Sequence, residues 1–363
     1  MELLQCHLKC LSRDLLTDIM VRLDGSTLAS AACTCSDLQG IAREQSLWKQ
    51  LCHSTWPSTA LKEAQHLISS SAIDGFDRFY ADSYPLILHD KVAKNIPAQT
   101  HISPSNFASF VDVYYSDQCI LSRVLDGIPS SGDFCEGDET SDLMRWLLNC
   151  PFKLVLLDVG HDEGTGDGNE LHRANNQYGY HRILAPPFMS FVQTDHCKEL
   201  REGLRLSWVL LDKMRGRAVN LSSWKPLLVK KIWATDGDYE IHFGCIVPVE
   251  ESVLPHKLAK CLILARCNLA ENGHLGWKEI SMHFEDTRGA YVCGNKSLTI
   301  MNQALYCLRS NSRLIVEKGY QQFEELKQEM IRKKKLKETI ADWLCLSFEV
   351  AIFITFGYYI LPI

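Results

Sequence analysis

The densest set of chemistry-bearing side chains lies between Asp158 and Asn176, DVGHDEGTGDGNELHRANN, where carboxylates and two histidines are interleaved with glycine. Three chemistries would use such a segment, and each lacks something. A phosphate-cradling loop needs a lysine after its last glycine, and Asn169 follows Gly168. A calcium loop needs oxygen ligands at alternating positions, and in the frame opening at Asp158 two of these fall on Gly160 and Gly164. His161 and His172 are not at the i, i+4 spacing of a helical zinc site. The stretch therefore reads as a surface loop. No GxSxG, HExxH, nucleotide or dinucleotide fingerprint occurs elsewhere. The 15 cysteines are scattered from Cys6 to Cys345 without paired metal-ligand spacing, and Cys33-Thr34-Cys35 is not a CxxC pair. No metal site and no cofactor is expected. Trp208, Trp224, Trp233 and Trp277 are either core residues or the lining of a sugar or peptide groove.

The chain is 363 residues long, 46% hydrophobic and 23% charged, as an ordinary globular protein of about two domains would be. Its net charge of −6 supplies no basic field for nucleic acid. Met1 to Lys9 has neither a basic start nor a long apolar run, so no secretory signal is expected and the cysteines should be reduced.

The elements are legible from periodicity. Between Leu11 and Leu51 several short helices follow one another. Ser12 suits an N-cap, with Leu15, Leu16, Ile19, Met20 and Leu23 at helical spacing behind it. Asp24-Gly25 should stop that helix, with Gly25 as a left-handed C-cap. Ser26 or Thr27 opens a second helix carrying Leu28, and Ser36 with Gln39 looks like a capping box for a third carrying Leu38. Leu47, Trp48 and Leu51 close the series. Forty residues of this kind have more apolar surface than they can bury among themselves. The excess packs either on the rest of the chain or on another protein.

The order Leu-x-x-Asp-Leu-Leu-x-x-Ile-x-x-x-Leu, with Leu28, Cys33, Leu38 and the Ser-Leu-Trp-Lys ending, resembles an F-box, although Ser12 stands where that family usually has proline. The string LASAACTCSDLQGIAREQSLWKQLCHSTWPS is similar to plant F-box proteins of the cytokinin-induced group. The resemblance implies docking on a Skp-type adaptor and, through it, on a cullin, with Leu11, Leu15, Leu16, Ile19, Leu23, Leu28, Leu38 and Trp48 as adaptor-binding residues. It implies a non-catalytic substrate-recognition subunit of a Skp-cullin-F-box ubiquitin ligase, in the cytoplasm or nucleus, with an unidentified client. A lectin-like module with a vestigial F-box and a hydrolase seated on the β region are the alternatives.

Beyond the F-box, the aromatic stripe Phe76, Phe79, Tyr80 and Tyr84 should weld it to the next domain. Phe110 to Tyr115 and Cys119 to Leu125 form a candidate hairpin around Ser116-Asp117, Pro129 to Asp138 a loop, Ser141 to Leu148 a helix and Phe152 to Leu157 a strand. Further strands are expected at Leu204 to Leu211, Leu227 to Trp233, Tyr239 to Cys245 and Lys260 to Leu269. Asp236-Gly237 and Asn272-Gly273 supply the turns. On the last strand Ile280, Met282 and Phe284 should face a core, with Glu279, Ser281 and His283 on a solvated side. Helices are expected at Ser297 to Leu308 and Glu317 to Lys337.

The expected architecture is α+β: an N-terminal helical F-box, an antiparallel, β-sandwich-like substrate domain, and C-terminal helices ending in an apolar tail. The segments are 11–57 (F-box), 58–100 (helical linker), 101–316 (mixed region with the β domain that recognises the client), 317–338 (basic helix) and 343–363 (apolar tail). Trp343 to Ile363 is long enough to cross a bilayer, interrupted only by Glu349, and follows the basic residues Arg332 to Lys337. A tail anchor in an endomembrane, with the body facing the cytosol, would use Trp343, Phe348, Phe353, Phe356 and Tyr358. The competing expectation is a final element packed on the β domain.

Overall fold

A computed structural model describes residues 11–70, 72–89, 102–128, 151–158, 196–233, 237–269 and 275–360. The segments expected at Asp158–Asn176 (beyond its first residue), Pro129–Asp138 and Ser141–Leu148 lie outside the described residues. So does the Asn272-Gly273 turn.

Four helices follow one another at the N-terminus: α1 (Arg13–Val21), α2 (Gly25–Ala32), α3 (Ser36–Ala42) and α4 (Gln45–Thr55). The Ser12 hydroxyl caps α1 by accepting from Leu15 N. Two cap expectations are corrected. Asp24-Gly25 does not end α1 with a left-handed glycine. Instead, the Asp24 carboxylate accepts from Ser26 N and Thr27 N at 3.0 Å each and opens α2. Those bonds, with others from the Ser26 and Thr27 hydroxyls, hold its carboxyl down at about 2. Gly25 lies against the Tyr80 ring, where a Cβ would collide with it. The Ser36–Gln39 capping box does not form, since Cys35 is the N-cap of α3 and offers no side-chain bond.

After a short 3₁₀ turn (Pro57–Ala60) come α5 (Lys62–Ser70) and α6 (Phe76–Ser83). The aromatic stripe welds as expected. Trp56 packs edge-on to Phe79 at 5.8 Å, and Phe79 packs on Phe110 at 5.3 Å. Tyr84 is the exception and is exposed.

The β region comprises two sheets. The first has strands β1 (Leu86–Ile87), β2 (Phe107–Tyr115), β3 (Gln118–Asp126), β5 (Leu204–Asp212), β6 (Arg217–Asn220) and β11 (Arg309–Ser310). Its order is β11-β1-β6-β5-β2-β3, antiparallel except for β1 against β6. The second runs β4-β10-β9-β8-β7, wholly antiparallel, from β4 (Leu154–Asp158), β7 (Leu228–Lys231), β8 (Asp238–Pro248), β9 (Leu258–Leu269) and β10 (Leu275–Glu285). The β2–β3 hairpin turns on Ser116 and Asp117, both at positive φ, the pairing of left-handed residues that a tight two-residue turn requires.

The two sheets share one core, in which Val111, Leu206, Trp208 and Leu210 of the first meet Ile241, Phe243, Ile263 and Met282 of the second. The other face of the first sheet, with Ala108, Phe110, Val209, Leu211 and Ala218, packs on the helical layer, chiefly on α6 and the turn after α4, which share one core with the F-box helices. Strands β2 and β5 therefore bury both faces, which is why they read as near-continuous apolar runs. The fold is α+β in three layers: helices, sheet, sheet. Of the four tryptophans, Trp208 and Trp277 are core, Trp224 is half-buried at a positive φ, and Trp233 is fully exposed at the end of β7.

One expectation about the second sheet fails. Glu279, Ser281 and His283 are buried, not solvated. Charges compensate one another there: Arg266 bridges Glu240 and Glu279 at 3.2 Å each, Lys153 reaches Glu279 at 2.6 Å, and Lys230 reaches Glu240 at 2.7 Å. A buried polar face is tolerated when its members satisfy one another.

A short helix, α7 (His196–Gly203), leads into β5, and α8 (Gly294–Ala304) precedes a single long helix, α9 (Arg313–Ile360), which carries both the basic and the apolar C-terminal stretches. Its first turns dock through the buried Val316 and Phe323. Lys260, buried beneath them, donates to Glu324 at 2.8 Å and to the Tyr320 hydroxyl at 3.2 Å. From Arg332 to Phe356 every side chain is exposed. Through Phe356, the described part of the tail is thus not packed on the β domain. The side chain of Tyr358 lies outside the described residues.

Candidate functional site

Helix α1 is apolar on two sides. Leu16 and Met20, four residues apart, point into the core shared with Leu28, Leu38, Ile41 and Trp48. Leu15 and Ile19, also four apart, form a second stripe that faces out, 54% and 46% exposed, with Leu11 exposed just ahead of the helix. Helical residues at that spacing lie one above another, so the outer stripe is continuous. The ion pairs Arg13–Glu44 (2.7 Å) and Arg22–Asp18 (3.1 Å) accompany it. A surface helix of a globular domain typically carries one apolar stripe, turned to the core; α1 carries a second one turned to solvent.

The structure divides the eight residues singled out in the sequence. Leu11, Leu15 and Ile19 are exposed and adjacent, Leu23 is half-buried, and Leu16, Leu28, Leu38 and Trp48 are buried in this chain's own core. Trp48 is further fixed by its indole N–H, which donates to Ala42 O at 2.6 Å. Val21, not singled out in the sequence, is exposed as well.

The helical layer that carries the F-box is held to the sheet by a polar pin that spacing alone does not reveal. Asp112, wholly buried on β2, accepts from Ser58 N (2.8 Å), Ser58 Oγ (2.6 Å) and Ser122 Oγ (2.6 Å). Burial pushes its carboxyl up to about 6, against the lowering effect of those three bonds. A second link runs from Ala218 N to the Asp82 carboxylate at 3.1 Å. Among the described residues no cluster of three histidine, cysteine or acidic side chains is arranged to hold a metal.

This four-helix unit with an outward apolar stripe, fused to a β domain, is the arrangement of an F-box protein. The F-box-like family model matches residues 13–54. The similarity to Arabidopsis thaliana proteins runs much further. F-box protein At2g27310 is 28% identical across 95% of this chain and 93% of its own length. F-box protein At3g44326 is 30% identical across 93% and 87%. Probable F-box protein At2g36090 is 28% identical, also across 93% and 87%. The chain belongs to this plant F-box protein family. No solved structure matches it.

Proposed function

We propose that this protein is the substrate-recognition subunit of a Skp-cullin-F-box ubiquitin ligase, docking on its Skp-type adaptor through the outer stripe of α1. The observation that carries this reading is the pair of apolar sides on α1, one closing the core and the other left to solvent. The subunit acts by proximity, holding a client near a charged ubiquitin carrier, and the buried junction between F-box and sheet suits a part that must fix a distance. The client surface is proposed on the β domain, between Leu204 and Phe284, where Trp233 is offered to solvent beside the edge strand β7.

The test is adaptor binding by the double variant Leu15→Ala, Ile19→Ala. Each side chain buried at an interface contributes about 1.5–3 kcal/mol, so affinity should fall roughly a hundredfold or more. Both residues are largely exposed, so the melting temperature should hold. Unchanged affinity in the folded variant refutes the assignment.

A second reading concerns the tail. Among the described residues α9 is the one helix long and apolar enough to cross a membrane, and none of its apolar window is buried. We propose a C-terminal anchor holding the body on the cytosolic side of an endomembrane, with Trp343, Phe348, Phe353, Phe356 and Tyr358 within or flanking the hydrocarbon. Glu349 lies nearer its cytosolic end than its middle, so it costs less than the roughly 2.5–3.5 kcal/mol of a central carboxylate, and less again if it enters protonated.

A further inference from the structure

Taking the tail as a membrane anchor, we propose that Arg332, Lys333, Lys334, Lys335 and Lys337 form a collar that binds the headgroups of anionic phospholipids. Three observations support it. Five of six consecutive residues are basic, and four consecutive positions complete about one helical turn, so the charge surrounds the helix instead of lying on one side. A helix lying flat on a membrane would present basic residues along one face. A collar fits one that passes through the headgroup layer upright.

The collar also begins where the helix leaves the body. Ile331 is still half-buried, whereas every side chain from Arg332 to Phe356 is exposed. Some six residues, about 9 Å of helix, separate Lys337 from Trp343, where the apolar stretch opens. When that stretch is in hydrocarbon, the collar is therefore at headgroup depth.

The third observation is electrostatic. Two collar residues form exposed pairs four residues apart, Lys333 with Glu329 at 2.7 Å and Lys334 with Glu338 at 3.9 Å. Such pairs contribute little and yield to a stronger anion. Lys335 and Lys337 form no ion pair among the described residues. Asp342 and Glu338 on the membrane side offset part of the charge. The chain as a whole is acidic, at −6, so its remainder is repelled by an anionic surface and only the collar is attracted.

The experiment offers full-length protein, diluted from detergent, a mixture of vesicles of phosphatidylcholine alone and vesicles containing phosphatidylserine. The two populations are separated by flotation. Basic residues next to such a surface are drawn to it, so wild type should favour the anionic population roughly tenfold or more. The preference should shrink as salt is raised. The variant Arg332→Gln, Lys333→Gln, Lys334→Gln, Lys335→Gln should still float, but with both populations equally. Equal distribution of wild type overturns the collar while leaving the anchor standing. Failure of wild type to float with either population overturns the anchor and the collar with it. Capture by soluble heparin without any vesicle preference would assign the basic residues to a protein or nucleic-acid partner and overturn the proposal.

Discussion

Replacing Asp112 with asparagine should change how the stability of this protein depends on pH, and the size of the change follows from the junction. The Asp112 carboxyl ionises near 3.8 in an unfolded chain and at about 6 when folded. The folded state therefore binds a proton that the unfolded state has already released. By linkage, the stability this group contributes is fully present below about 3.8 and is lost as pH rises through about 6. A shift of roughly two units corresponds to about 3 kcal/mol, at 1.36 kcal/mol per unit. Asparagine is nearly isosteric. Its carbonyl oxygen accepts from Ser58 N, and its amide donates to whichever serine hydroxyl turns to receive it. It cannot ionise, so it carries no such term. The free-energy gap between Asp112→Asn and wild type should move in favour of the variant by about 3 kcal/mol between about pH 4 and pH 7. Urea titrations of both full-length proteins in mild detergent, at several pH values, measure this directly, because every other titrating group is common to the pair and cancels. Stability curves that run parallel across that range would show that Asp112 is not a desolvated carboxylate. Asp112→Ala is a useful control: it leaves the buried Ser58 N–H without an acceptor, at about 1–3 kcal/mol, and should destabilise where asparagine does not.

Two other expectations rest on close packing. Gly25→Ala drives a methyl into the Tyr80 ring and should destabilise by about 1–3 kcal/mol, read by thermal melting; an unchanged melting temperature would mean the ring moves freely. Lys260→Met removes the buried cation between Glu324 and Glu285 and leaves Glu285 with Lys327 at 3.3 Å. Breaking such a site from one side costs about 3–5 kcal/mol. The first turns of α9 should then loosen, which limited proteolysis between Val316 and Lys327 would detect as faster cleavage.

Much of this architecture is legible in the sequence because its signals are local. Helical spacing locates α1 to α4, while apolar β-rich runs bounded by turn residues locate β2, β3 and β9, and alternation locates β8 and β10. The illegible parts depend on meetings across long separations. Ser58 and Asp112 are each unremarkable until the fold joins them. Alternation marks Glu279, Ser281 and His283 as solvent-facing because it registers polarity and not the partners, such as Arg266 and Lys153, that make burial tolerable. In α1 the pattern finds all the apolar residues but cannot divide them. Leu15 and Leu16 are neighbours in sequence, and only the placement of α3 and α4 decides which of the two is spent inside. The Asp24-Gly25 pair is ambiguous in the same way, since a carboxylate that opens one helix and a glycine that ends another are both common, and Tyr80 decides between them.

The three-layer arrangement bears on how this protein is taken apart. A recognition module strung on a flexible tether can be cut away, and the remainder studied as an unarmed version of the whole. Here the far side of β2 and β5 is covered by α6 and the turn after α4, which themselves rest on the F-box helices, and removing residues 11–57 would strip Trp48 and Trp56 from Phe79 and Tyr80. Such a truncated chain would carry a sticky, half-naked helical layer, prone to aggregation and to capture by chaperones. A loss of function on deletion would then report misfolding as readily as lost ligase assembly. Silencing the protein while keeping its shape calls for changes confined to the outward side of α1, where Leu15 and Ile19 are exposed.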